Sequence, residues 1–201
     1  MAAPRPFSGG DWLDPPLELN VVLHGNSLFT NVAERVATEL PAATVNERVV
    51  GGAKTADLTA EFATQIHAAF FDAGKRNVVV MIEWVDDIND FGADGQDAYD
   101  HGASYVAAAQ ALEWEVALCS CIDTTEFDPP DARAGYRDDL NDLLRVDWAG
   151  ADIAVDLEAD TMFDAATNSA ANTTNYNEDG IHLKSPGQDR MAELIASAVS
   201  A

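Results

Sequence analysis

A chain of 201 residues, 47% hydrophobic and 23% charged, is long enough for one well-buried domain and short for two. Its 35 acidic against 11 basic side chains leave a net charge of −24, which argues against nucleic acid as a partner, because a chain without a basic patch cannot gain from releasing counterions from a phosphate backbone. Anionic membrane surfaces are disfavoured for the same reason, and no apolar run reaches the roughly 20 residues that span a bilayer, so no membrane insertion is expected.

In chain order, residues 1–16 carry four prolines and the Gly9-Gly10 pair and read as an irregular lead-in, with the domain proper over 17–201. The first ten residues lack the apolar stretch of a secretory signal, so a soluble protein of the cytoplasm or of a viral particle is expected. Only three of the basic residues are lysines (Lys54, Lys75, Lys184), and so acidic a surface suits a high-salt medium that screens its self-repulsion. Apolar runs predict strands over Leu17 to His24, Ala43 to Val50, Asn77 to Trp84, Glu115 to Ile122 and Asp152 to Leu157. Helical patterns fall at about Phe29 to Glu39, Ala56 to Ala73, Gln96 to Leu112, Ala132 to Leu144 and Pro186 to Ser200. Five strand and helix units in alternation predict a parallel five-stranded sheet with helices on both faces. The stretch Asn168 to Asn177 reads as a loop. Cys119 and Cys121 lie two apart in one strand, where a bridge would be strained, so two free buried thiols are expected.

The first strand stops at Val21-Val22-Leu23-His24-Gly25-Asn26-Ser27, which puts Ser27 at the carboxyl edge of the sheet, where ligands bind in open parallel sheets. Ser27 has two readings, the N-cap of the following helix or a nucleophile whose exposure depends on a turn freed by Gly25. A nucleophile needs a base. His24, His67 and His101 fall within predicted strands or helices and read as structural, which leaves His182 in Glu178-Asp179-Gly180-Ile181-His182-Leu183. Asp179, three residues upstream, can reach the Nδ1 atom of His182 across one tight turn and leave Nε2 free to take a proton. This turn follows the fifth strand and so shares the sheet edge with Ser27. Gly52, after the second strand, can offer a backbone N–H to an oxyanion, or can be an ordinary turn glycine. The acidic stretch from Glu83 through Asp97 does not have the ligand order of a calcium loop, and no metal site is expected.

Together these segments resemble the SGNH, or GDSL-type, hydrolases over about residues 17 to 200. Gly25-Asn26-Ser27-Leu28 is similar to that family's first block, with Asn in place of the usual Asp. Gly51-Gly52-Ala53-Lys54-Thr55-Ala56-Asp57-Leu58 resembles the second, with Gly52 at the oxyanion glycine, and Asp179-Gly180-Ile181-His182-Leu183 resembles the fifth. The resemblance implies a flavodoxin-like three-layer α/β/α sandwich, catalytic Ser27, His182 and Asp179, an oxyanion hole that includes the Ser27 and Gly52 amides, and no cofactor. The third block departs from the family pattern Gly-x-Asn-Asp. Read without a gap, Asp86 stands where the oxyanion-binding Asn belongs, and an ionised carboxylate has no N–H to give, which leaves slow catalysis on two backbone donors, a protonated Asp86 or a site no longer catalytic. A shift of three residues restores an amide at Asn89 at the cost of a longer strand or a bulge.

Two functions follow. The first is a serine esterase acting on a small-molecule or glycan ester, short-chain or O-acetyl, with Trp84, Phe91 and Trp148 near the loops that would hold it. The second is a binding or assembly module of the same fold, of a viral or cell-surface structure, in which Trp84 and Asp86 mark a degraded site. A nucleotide binder is disfavoured because no glycine-rich phosphate loop follows the first strand. Oligomeric state is not legible.

Overall fold

The computed structural model describes residues 17–89, 91–127, 132–164 and 169–201; the lead-in over residues 1–16 lies outside them. Five strands form one parallel sheet: β1 (Glu18–Gly25), β2 (Thr44–Val49), β3 (Lys75–Ile82), β4 (Glu115–Cys119) and β5 (Ile153–Val155), in the order β2-β1-β3-β4-β5. Residues 21–23 of β1 and 78–81 of β3 are fully buried, as continuous aliphatic runs in the middle of a doubly covered sheet should be. β2, with the polar sequence Thr-Val-Asn-Glu-Arg-Val, lies at one edge and stays partly exposed.

Parallel neighbours require crossovers, and right-handed crossovers fix the layers. The helices α1 (Val32–Glu39) and α7 (Ser185–Val199) pack together on one face, while α2 (Thr55–Glu61), α5 (Gly95–Gln110) and α6 (Ala132–Asp147) line the other. This is the α/β/α sandwich that the alternation predicts. The α2 run continues through a π-helical stretch, Phe62–His67, into α3 (Ala68–Phe70), together filling the single helix expected there. Cys119 and Cys121 are free and buried. Among the described residues no helix is long and apolar enough to cross a membrane.

One connection differs from its sequence reading. β3 ends at Ile82 instead of Trp84, and residues expected to form a polar loop form a short helix, α4 (Trp84–Asn89). Asp86 and Asp87 fall in its first turn, where carboxylates suit the positive end of a helix. Trp84 turns into the core and donates its indole N–H to the carbonyl of Cys119 at 2.7 Å.

The polar groups of the core are tied to one another. His24 on β1 is fully buried, with Nδ1 2.8 Å from the Tyr105 hydroxyl and Nε2 3.2 Å from Glu61, which is itself clamped by Arg48. Burial drives the His24 imidazole down to about 4 from 6.5, against the pull of Glu61. A base with this shift leaves stability untouched above pH 6.5 and lowers it as the pH falls towards 4, because the unfolded chain takes the proton first. Over that window the wild type should lose about 3 kcal/mol more unfolding free energy than His24→Gln, as measured by urea titration at successive pH values.

Candidate active site

The site begins where β1 and β3 end side by side, with Gly25 paired to Ile82. A Cβ on Gly25 would lie 2.2 Å from the Ile82 carbonyl oxygen. Glycine is thus required by the close approach of the two strands, and not by a turn as the sequence suggested. The next residue, Asn26, is the cap: its Oδ1 accepts the Leu28 N–H at 3.0 Å and opens a 3-10 turn over Ser27–Phe29. With Asn26 in that role, the Ser27 hydroxyl is released from capping.

Its partner comes from the far end of the chain. Before α7 the backbone doubles back on itself, through an antiparallel bridge between Tyr176 and Leu183 and a 2.8 Å hydrogen bond from the Asn177 N–H to the His182 carbonyl. Gly180, at φ +68°, closes the turn, and a Cβ there would strike Thr125, whose hydroxyl donates to the Asp179 carbonyl at 3.0 Å. Within this turn Asp179 Oδ1 accepts the N–H groups of Ile181 and His182 at 2.9 and 3.0 Å, while Oδ2 meets His182 Nδ1 at 2.9 Å. Partial burial pushes the Asp179 carboxyl up, but these two amides and the imidazole outweigh it and hold the group below its usual range. His182 Nε2 lies 2.8 Å from Ser27 Oγ. The structure therefore brings Asp179, His182 and Ser27, separated by 155 positions between the last two, into one line of hydrogen bonds. An imidazole fixed at Nδ1 by a carboxylate and touching a hydroxyl at Nε2 can accept that hydroxyl's proton.

The other candidates lie on adjoining loops. Gly52 adopts φ +70° in the turn after β2, which is anchored to β1 by the Val50 N–H bonded to the Gly25 carbonyl at 2.9 Å. Among the described residues no acceptor takes the amide N–H of Ser27 or of Gly52. Asp86, on α4, accepts the Asn26 side-chain N–H at 3.0 Å and so sits one residue from Ser27. Asn89 instead directs its side-chain oxygen to Arg133 of α6. Of the three aromatic residues expected near the loops, Trp84 is buried, and Trp148 leads into the start of β5, at the opposite edge of the sheet. Phe91 alone is exposed; its N–H bonds the Asp86 carbonyl at 3.2 Å, and the Lys54 ammonium stands 4.8 Å from its ring centre. Among the described residues no group of three or more His, Cys, Asp and Glu could hold a metal ion.

Sequence reasoning missed the contact between Asn26 and Asp86, and missed Thr125 as a support for the Asp179 turn. The exchanged residue types at positions 26 and 86 were a signal of the first. Nothing in the local sequence signalled the second, which joins a loop after β4 to one after β5.

No protein-family model matches the sequence, and no curated protein matches it. Solved structures do. A protein from Slackia heliotrinireducens described as an SGNH hydrolase shares 19% identity at a TM-score of 0.64, with 90% of this chain and 99% of that one covered. A GDSL-like lipase from Bacteroides thetaiotaomicron shares 19% at 0.66, covering 90% and 87%, and an acetyl xylan esterase shares 17% at 0.65, covering 89% and 98%. With a parallel sheet in the order β2-β1-β3-β4-β5 and helices on both faces, the chain has the fold of the SGNH, or GDSL-type, hydrolases.

Proposed function

We propose that the protein is a carboxylic ester hydrolase that works through an acyl-enzyme on Ser27. The observation that carries this reading is the unbroken line from Asp179 through His182 to Ser27, at 2.9 and 2.8 Å. Ser27 Oγ attacks the ester carbonyl as His182 Nε2 takes its proton, and the same proton goes to the departing alcohol. Water then enters by the reverse exchange, losing a proton to His182 and releasing the acid and the free Ser27 hydroxyl. Asp179 holds the imidazole tautomer and stabilises the imidazolium. The amides of Ser27 and Gly52 are the oxyanion donors in this mechanism.

Asp86 sets the efficiency. A carboxylate beside the site donates nothing to an oxyanion and repels it, so the reaction runs on backbone donors alone. This favours the second reading, a binding module that kept the fold, only to the extent that Asp86 silences the site. The substrate we infer is a short-chain or O-acetyl ester, on a carbohydrate in the reading that Phe91 favours, since an exposed aromatic ring just after α4 can offer a surface to a sugar. The likeness to an acetyl xylan esterase points the same way.

Hydrolysis of p-nitrophenyl acetate tests the assignment. Ser27→Ala and His182→Ala should each fall to background, a loss of about 10⁴-fold or more in kcat. Equal rates in wild type and Ser27→Ala would leave the binding module. Asp86→Asn should raise kcat by about 10²-fold with little change in KM, because the new amide can accept from Asn26 through its oxygen while offering an N–H to the oxyanion.

A further inference from the structure

Glu83 and Asp87 take no part in the proposed reaction, yet both are buried polar residues directly behind it. Glu83, the first residue after β3, is fully buried, and Asp87, on α4, is 1% exposed. Asp87 Oδ1 accepts the backbone N–H of Thr55 at 3.0 Å, and Glu83 Oε2 accepts the Thr55 hydroxyl at 3.2 Å. Thr55 is the first residue of α2, is itself fully buried, and follows Lys54, an N-cap whose side chain makes no capping bond. Lysine has no acceptor to offer there, so without Asp87 the Thr55 N–H would be a buried donor left unpaired.

We propose that Asp87 and Glu83 are positioning residues for the loop that carries Gly52, holding its downstream end through Thr55 as Gly25 holds its upstream end through Val50. Between these anchors Ala53 is buried and donates its N–H to the Val50 carbonyl at 3.2 Å, whereas nothing lies within 4 Å of where a Cβ on Gly51 or Gly52 would stand, so the two glycines are placed by the residues that flank them. The position of the Gly52 amide relative to Ser27 then follows from the buried Ala53 and from two hydrogen-bonded ends: Val50, bonded to Gly25 of β1, and Thr55, bonded to Glu83 and Asp87.

Two carboxyl groups this deeply buried can lie close together only if one is neutral. Burial, reinforced by the charges of Asp87 and Asp86, drives the Glu83 carboxyl up to about 10, so Glu83 keeps its proton, and its Oε1 meets no partner among the described residues. His101, from α5, stands 3.3 Å from Asp87 Oδ2, so both oxygens of Asp87 are engaged.

This inference rests on the esterase reading for its kinetic consequence, and the test separates the two. Kinetics on p-nitrophenyl acetate and hydrogen exchange over residues 51–55 are measured together for wild type, Asp87→Ala, Asp87→Asn and Glu83→Gln. Asp87→Ala should lose roughly 10²-fold in kcat with KM little changed, the cost of an oxyanion donor set adrift. Its amides over residues 51–55 should exchange at least about tenfold faster while those of β1 and β3 stay protected. Asp87→Asn, which keeps an acceptor for Thr55, and Glu83→Gln, which keeps a neutral donor, should recover most of both. Wild-type exchange at 51–55 in Asp87→Ala overturns the proposal, as does protection lost equally across β1 and β3. If Asp87→Ala fails to fold, Thr55→Val, which deletes only the bond to Glu83, takes its place under the same criteria. A wild type without Ser27-dependent hydrolysis overturns the esterase reading, and the exchange comparison alone then decides the positioning role.

Discussion

The site depends on two strands staying in register to their last residues. β1 and β3 pair from Glu18 with Lys75 to Gly25 with Ile82, and the final pair is possible only because Gly25 has no Cβ to meet the Ile82 carbonyl. Everything downstream is delivered from that point. Asn26 and Ser27 leave one strand, Glu83 and α4 leave the other, and the two groups emerge as neighbours at the topological switch of the sheet, where the chain has gone one way to β2 and the other way to β3. A bulge or slip there would separate the hydroxyl from the residues around it.

Around this point the protein has placed an unusual number of acidic groups. Glu83, Asp86 and Asp87 fall within five residues, and Asp179 approaches from another loop. They are kept compatible by different means. Asp86 takes a side-chain N–H from Asn26, Asp87 takes a backbone N–H from Thr55, Asp179 takes two backbone N–H groups, and Glu83 gives up its charge. Three of these carboxyl groups are met by N–H donors, whereas Glu83, buried with only the Thr55 hydroxyl as a donor, keeps its proton. It also accounts for the exchange at positions 26 and 86. An amide at 26 can serve both as the cap for Leu28 and as a donor to a carboxylate at 86, whereas two carboxylates there would face each other with nothing to give.

The repeated alternation of aliphatic runs and amphipathic stretches was enough to read the sheet, because parallel strands buried on both faces are written as continuous apolar segments. Boundaries slipped where such a segment ran into a side chain that is apolar for another reason. Trp84 extends the run that ends β3 but belongs to α4, where its ring fills the core beside α5 and its N–H finds the Cys119 carbonyl. In the same way Ser27 looked like a helix cap, since residue type alone does not distinguish a cap from its neighbour, and the cap is Asn26.

Sequence by itself determined the α/β alternation, the edge to which each polar loop is delivered, and the identity of Ser27, Gly52, Asp179 and His182 as candidates, because these follow from local periodicity and from short motifs whose spacing survives folding. Only the tertiary structure decided what each group faces. The hydrogen bond from His182 to Ser27 spans 155 positions, that from Asn26 to Asp86 spans 60, and that from Thr55 to Asp87 spans 32. Contacts of that separation are set by strand order, register and crossover hand acting together, and no window of sequence contains them.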